Sequence, residues 1–142
     1  MAELVRYYQK LIHPLLSFEL QHFGAEKVVK PNNAMIEKAL KKEAEKIDKL
    51  LKPKDGVILM SEHAKHHSTL QLQDHFEQWL CKWSRLCFVF GSAYGLHKIL
   101  YRSERLKLSL SPLTMQHELA LVVCMEQLYR LMTLKTGKRY HY

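Results

Sequence analysis

Three short apolar runs, Val57-Ile58-Leu59-Met60, residues 86–90 and residues 106–110, are separated by longer stretches, and this alternation limits the fold more than any other feature of the chain. Antiparallel strands can be joined by a two-residue turn, whereas parallel strands need a crossover of a dozen or more residues, usually helical. The run at 57–60 has no polar residue at alternate positions, as suits a strand buried on both faces. The expected class is therefore α/β, a mainly parallel sheet with helices on both faces.

The flanking segments supply those helices. Leu4, Val5, Tyr8, Leu11, Ile12 and Leu15 recur at three- and four-residue spacing, which predicts a helix disturbed at its end by Pro14. Phe18, Leu20 and His22 alternate with Glu19 and Gln21, which predicts a short strand before a break at Gly24. Asn33 is placed to cap a second helix, with Ile36, Leu40, Ile47 and Leu51 inward and Lys38, Lys41, Lys42, Lys46 and Lys49 mostly outward. Ser68 and Gln71 form a capping-box pattern for a third helix through about Trp79 carrying Leu70, Leu72, Phe76 and Trp79. A short helix is expected around 97–102. A long final one follows from Leu119, Val122, Val123, Glu126, Leu128, Tyr129 and Leu131.

Length and composition exclude several classes. At 142 residues and 47% hydrophobic content the chain supports one core, so a single domain over residues 1–142 is expected. No apolar run approaches the roughly 20 residues of a membrane span. The opening Met1-Ala2-Glu3-Leu4-Val5-Arg6 has no apolar core of a secretion signal. Three cysteines, Cys81, Cys87 and Cys124, lack paired spacing and read as buried thiols, in keeping with a cytoplasmic location. The net charge of +8 attracts polyanions, nucleic acid among them.

Chemistry is expected where neighbouring strands end, because open α/β sheets bind ligands beyond their carboxyl edges. Those ends are Met60, Phe90-Gly91 and Leu110-Ser111. Gly91 and Gly95 allow positive φ and close backbone approach, although on their own they mark a turn. Neither G-x-G-x-x-G nor a P-loop is present, which removes support for dinucleotide or ATP binding. His63, His66 and His67 share one loop, but without cysteine or carboxylate at ligand spacing a solvated loop is expected, not a metal site.

The C-terminal half also carries a combined pattern: Phe88-Val89-Phe90-Gly91-Ser92-Ala93-Tyr94-Gly95-Leu96, then Leu110-Ser111-Pro112-Leu113-Thr114-Met115-Gln116-His117, then Glu126-Gln127-Leu128-Tyr129-Arg130, then Tyr140-His141. In order and spacing this resembles the large-subunit rRNA pseudouridine methyltransferase H family of the SPOUT (α/β-knot) class. The resemblance implies a C-terminal trefoil knot, a homodimer, S-adenosylmethionine as cofactor, and methylation at N3 of a pseudouridine in large-subunit rRNA or the ribosome. It implies cofactor positions at Met60, Gly91, Ser92, Leu110, Ser111, Pro112, Leu113, Thr114 and Met115. His117, Arg130, Tyr140 and His141 correspond to polar residues implied to position RNA or stabilise a developing anion, while Arg130 can also pair with Glu126 along the helix. Ser92, Tyr94, Gln116 and Leu121 depart from the family pattern, as do Ser61 and Ala64. The family's first strand also has no counterpart at the start of this chain. These departures leave an alternative: a SPOUT-like dimer that binds rRNA or ribosomes without methyl transfer.

Overall fold

The computed structural model describes residues 1–137. Helix α1 (Ala2–Ile12) is followed by α2 (Asn33–Asp48), β1 (Gly56–Met60), α3 (Thr69–Lys82), β2 (Leu86–Val89), a 3₁₀ turn (Lys98–Leu100), β3 (Leu106–Leu108) and α4 (His117–Lys135). The strands form a parallel sheet in the order β2-β1-β3, with Leu59 opposite Val89 and Met60 opposite Leu108.

Alternation along the strands sorts side chains to two faces. Ile58, Leu108, Phe88 and Leu106 pack with Ile12 of α1, Leu72 and Phe76 of α3, and Met125, Leu128 and Leu131 of α4. Val57, Leu59 and Val89 turn the other way, onto Ala44 of α2 and Leu100 of the 3₁₀ turn. The sheet is thus covered on both faces, as its sequence requires. Phe76 is only 1% exposed, and truncating a buried phenylalanine to alanine costs about 3–5 kcal/mol.

Local signals explain the boundaries. Helix α1 stops at Ile12, two residues before Pro14, and the Leu15 and Leu16 N–H groups donate to the Ile12 carbonyl. The cap of α2 is Asn32, one residue before the expected Asn33, its Oδ1 accepting the Met35 N–H at 2.8 Å. Ser68 and Gln71 do form a reciprocal capping box at α3, a device worth about 1 kcal/mol. Helix α3 runs on to Lys82, and α4 begins at His117 instead of Leu119.

Other expectations need correction. Residues 18–22 form no strand. Phe18 packs on the core, but Leu20 and Phe23 are exposed, and among the described residues no neighbouring strand takes up the backbone hydrogen bonds that alternation alone cannot supply. Leu70 lies outside the core at 71% exposure, on the outer side of α3. Cys81 is exposed, Cys87 half-buried and only Cys124 buried. Among the described residues no helix is long and apolar enough to cross a membrane.

Candidate methyl-donor site

The central position of β1 brings the three strand ends side by side. Beyond the paired residues the contact continues, since the Ser61 N–H donates to the Leu108 carbonyl at 2.9 Å and His66 bridges to Ser109. Met60, Phe90 and Leu110 all pack toward the α1/α3/α4 side. Leu110 also lines a void of about 10 Å³ with Phe88, Leu108 and Cys124, too small for more than one water. The Leu110 side chain therefore belongs to the core, and what that position offers a ligand is its main chain.

The segment after β3 is shaped by serine hydroxyls. Ser109, 4% exposed, donates from Oγ to the Ser111 carbonyl at 2.9 Å, and Ser111 Oγ accepts the Leu113 N–H at 3.0 Å. These bonds point Leu113 outward and leave Pro112 and Thr114 exposed, with Met115 half-buried. Ser109 escaped sequence reasoning, although a small polar residue between leucines at a strand end was a usable signal.

The segment after β2 is a tight turn in which the Gly95 N–H donates to the Ser92 carbonyl at 2.9 Å. Of the two glycines only Gly95 takes a positive φ, +87°. Gly91 serves the close approach, but the backbone it admits is that of the chain itself: a Cβ there would stand 2.5 Å from the Gly95 carbonyl carbon and oxygen. Ser92 Oγ is buried without a hydrogen-bond partner. An orphaned hydroxyl beside a glycine turn at a sheet's carboxyl edge fits a ligand with polar groups, such as an adenosyl moiety.

Beyond the turn, His97 is buried, accepting the Ile99 N–H on Nδ1 at 3.2 Å while Nε2 meets Glu37 Oε1 at 2.9 Å. The hydrogen bond from His97 holds the Glu37 carboxyl below the usual carboxylate range. Neither residue was singled out from sequence; the cap position of His97 before a short helix was the available sign. Asp48 is held low by hydrogen bonds, first from Arg105 and then from Arg102. With Glu43 accepting the Glu26 N–H at 2.9 Å, these acids of α2 are engaged within the protein, while Lys38, Lys41 and Lys49 remain exposed.

The remaining polar positions are dispersed. His117 is exposed at the start of α4. Arg130 lies roughly 20 Å further along the helix axis and donates from Nε and Nη2 to Glu126 Oε1. The chain does not bring these two together. Gln127 accepts from Thr69 Oγ1 at 3.1 Å, tying α4 to α3. Tyr140 and His141 lie outside the described residues, as do Lys138 and Arg139. In the histidine loop, His67 meets His75 edge-on at 4.8 Å and His75 stacks on Trp79 at 6.0 Å, and burial lowers the His67 pKa. Among the described residues no group of three or more His, Cys, Asp or Glu is arranged to hold a metal. Burial pushes the Cys124 thiol up to about 12, which leaves it a poor nucleophile.

A parallel sheet whose adjoining strand ends carry a glycine turn and a serine-shaped loop is an α/β architecture of the type that binds ligands beyond the carboxyl ends of its strands. The sequence model of the family described as "Predicted SPOUT methyltransferase" matches residues 1–141. The chain belongs to the SPOUT methyltransferase family. It is similar to proteins named Ribosomal RNA large subunit methyltransferase H. The one from Pseudothermotoga lettingae is 38% identical over 75% of this chain and 70% of its own length. That from Ureaplasma parvum serovar 3 is 32% identical over 95% and 86% respectively, and that from Parabacteroides distasonis 30% over 99% and 89%.

Proposed function

We propose that this chain methylates N3 of a pseudouridine in large-subunit ribosomal RNA, using S-adenosylmethionine. The observation that carries the reading is the junction of three parallel strand ends with the Gly91–Gly95 turn and the unpartnered Ser92 hydroxyl. Family membership and the names of the relatives support the same chemistry.

The residues that would hold the cofactor are Met60, Gly91, Ser92 and positions 110–115, largely through main-chain groups. When bound, S-adenosylmethionine supplies a methyl group on a sulfonium, which already leaves readily. The protein's task is then to align the base nitrogen and favour loss of its proton. A cation or donor near the base oxygen stabilises the anion that remains. His117, Arg130, Tyr140 and His141 are the proposed donors, acting on the base or on the RNA around it. Because His117 and Arg130 lie far apart along one helix, the reading includes a homodimer in which one protomer's C-terminal residues complete its partner's site. It also includes a single domain with a trefoil knot, a cytoplasmic location, and no requirement for a metal ion or membrane.

Mass-spectrometric mapping of large-subunit rRNA from cells with and without the protein tests the reaction. One methylated pseudouridine should disappear on deletion and return when purified protein and S-adenosylmethionine are added to the unmodified ribosomes. Unchanged rRNA, with the protein still holding ribosomes, would contradict methyl transfer.

A further inference from the structure

The glycine turn is fixed at its entry by strand pairing, because Val89 is in register with Leu59. Among the described residues no strand fixes its exit. That end is held by His97, two residues past Gly95 and only 4% exposed. Since Nδ1 accepts the Ile99 N–H, it carries no hydrogen, and the ring hydrogen sits on Nε2, where it donates to Glu37. Burying an imidazole is costly unless its nitrogens are matched, and both are. Leu100, three residues further on, is fully buried in the cluster containing Val89 and Leu59.

We infer that His97 is a positioning residue for the methyl-donor site: through Glu37 it references the exit of the Gly91–Gly95 turn to α2, and so sets where the turn's main chain and Ser92 Oγ stand. The inference rests on the proposed reading of the strand ends as the donor site. A second tie from α2, Asp48 with Arg102 and Arg105, lies on the far side of the 3₁₀ turn. It fastens the approach to β3 and not the glycine turn. The two ties join the same pair of segments, so they separate positioning from mere cohesion.

The two bonds of His97 can be removed independently. His97→Asn retains an oxygen acceptor for the Ile99 N–H, in a cap position that favours asparagine, but is too short to reach Glu37. Glu37→Gln retains an acceptor for Nε2–H without the charge, and Glu37→Ala removes it. The full chain and each variant, with Asp48→Asn as the comparison, are titrated calorimetrically with S-adenosylhomocysteine and unfolded thermally. Glu37→Ala and His97→Asn should weaken binding about tenfold, whereas Glu37→Gln should stay within about threefold of the parent. Asp48→Asn should lower the unfolding temperature and leave affinity within about threefold. In methyl-transfer kinetics the loss should fall on KM for the donor more than on kcat.

Unchanged affinity in both Glu37→Ala and His97→Asn overturns the inference, as does an equal loss in Asp48→Asn. Nitrogen NMR of the imidazole gives a reading that needs no ligand: a hydrogen on Nδ1 overturns the arrangement directly. Failure of the parent protein itself to bind S-adenosylhomocysteine removes the donor-site reading and this inference with it. Binding by the parent with unaltered variants removes the inference alone.

Discussion

Gly91 and Gly95 stand back to back, so close that a single methyl group on the first would lie 2.5 Å from the carbonyl carbon of the second. The constraint is backbone against backbone, which no rotamer change can relieve. Gly91→Ala should therefore deform the turn and weaken S-adenosylhomocysteine binding by about tenfold or more, and Gly91→Val should abolish it. Gly24→Ala is the control, because a Cβ at Gly24 meets open space. Calorimetric affinities of the variants check this, and retained affinity in Gly91→Val would remove the turn from the site.

Ser92 makes a prediction of opposite signs. Its Oγ is buried and unpartnered, so Ser92→Ala should leave stability unchanged or raise it, by up to about 1–3 kcal/mol. The same change should weaken cofactor binding by roughly 2- to 10-fold, the worth of one hydrogen bond. Denaturant unfolding of the free protein and titration of the variant measure the two effects separately. A destabilised variant with full affinity would show that the hydroxyl serves the fold.

Acid should release the tie before β1. Hydrogen bonding from Arg85 holds Asp55 below the ordinary carboxylate range, and the Lys52 N–H adds a bond at 2.6 Å. For a carboxyl whose folded pKa is depressed, the stabilisation is complete above its unfolded pKa, about 3.9, and disappears as pH falls through the folded value. Asp55→Asn should thus cost about 1–3 kcal/mol at pH 7 and progressively less below about pH 4. Urea unfolding at several pH values checks the convergence, and a constant difference would place the cost elsewhere.

RNA binding should weaken steeply with salt. Log affinity against log salt falls by about 0.7 to 0.9 for each phosphate neutralised. Glu37, Glu43 and Asp48 are paired with other groups of the protein, while Lys38 and Lys41 of α2 and its C-cap Lys49 are exposed. Replacing these three lysines by glutamine should lower the slope by about 2 units if α2 touches RNA. The basic C-terminal residues are the stronger candidates, so Lys135→Gln with Lys138→Gln and Arg139→Gln should lower it further. Filter binding to a ribosomal RNA fragment across a salt series measures both, and a flat response would exclude phosphate contacts.

Periodicity made the parallel sheet, its two covered faces and most helix positions legible, because a strand between two hydrophobic layers leaves its mark on neighbouring residues. The segment 18–22 misled for the same reason: alternation records a side-chain preference and cannot report whether another strand lies alongside. The candidate site was legible as three strand ends plus a family pattern. Its working details were not. Gly91 gave no sign that its neighbour would be Gly95 backbone instead of ligand, and the link from His97 to Glu37 joins elements that no local pattern connects. The serine bonds around Ser109 and the pairing of Arg130 with Glu126 likewise depend on side-chain directions that only the folded chain defines.

The bond between Glu37 and His97 spans 60 positions, with β1, α3 and β2 lying between its ends. Such long loops close late, after local contacts have formed. The Gly91–Gly95 turn accordingly takes its final shape only when nearly the whole sheet is in place. If that turn holds the methyl donor as proposed, copies truncated after β2, which lack His97, should be unable to bind it.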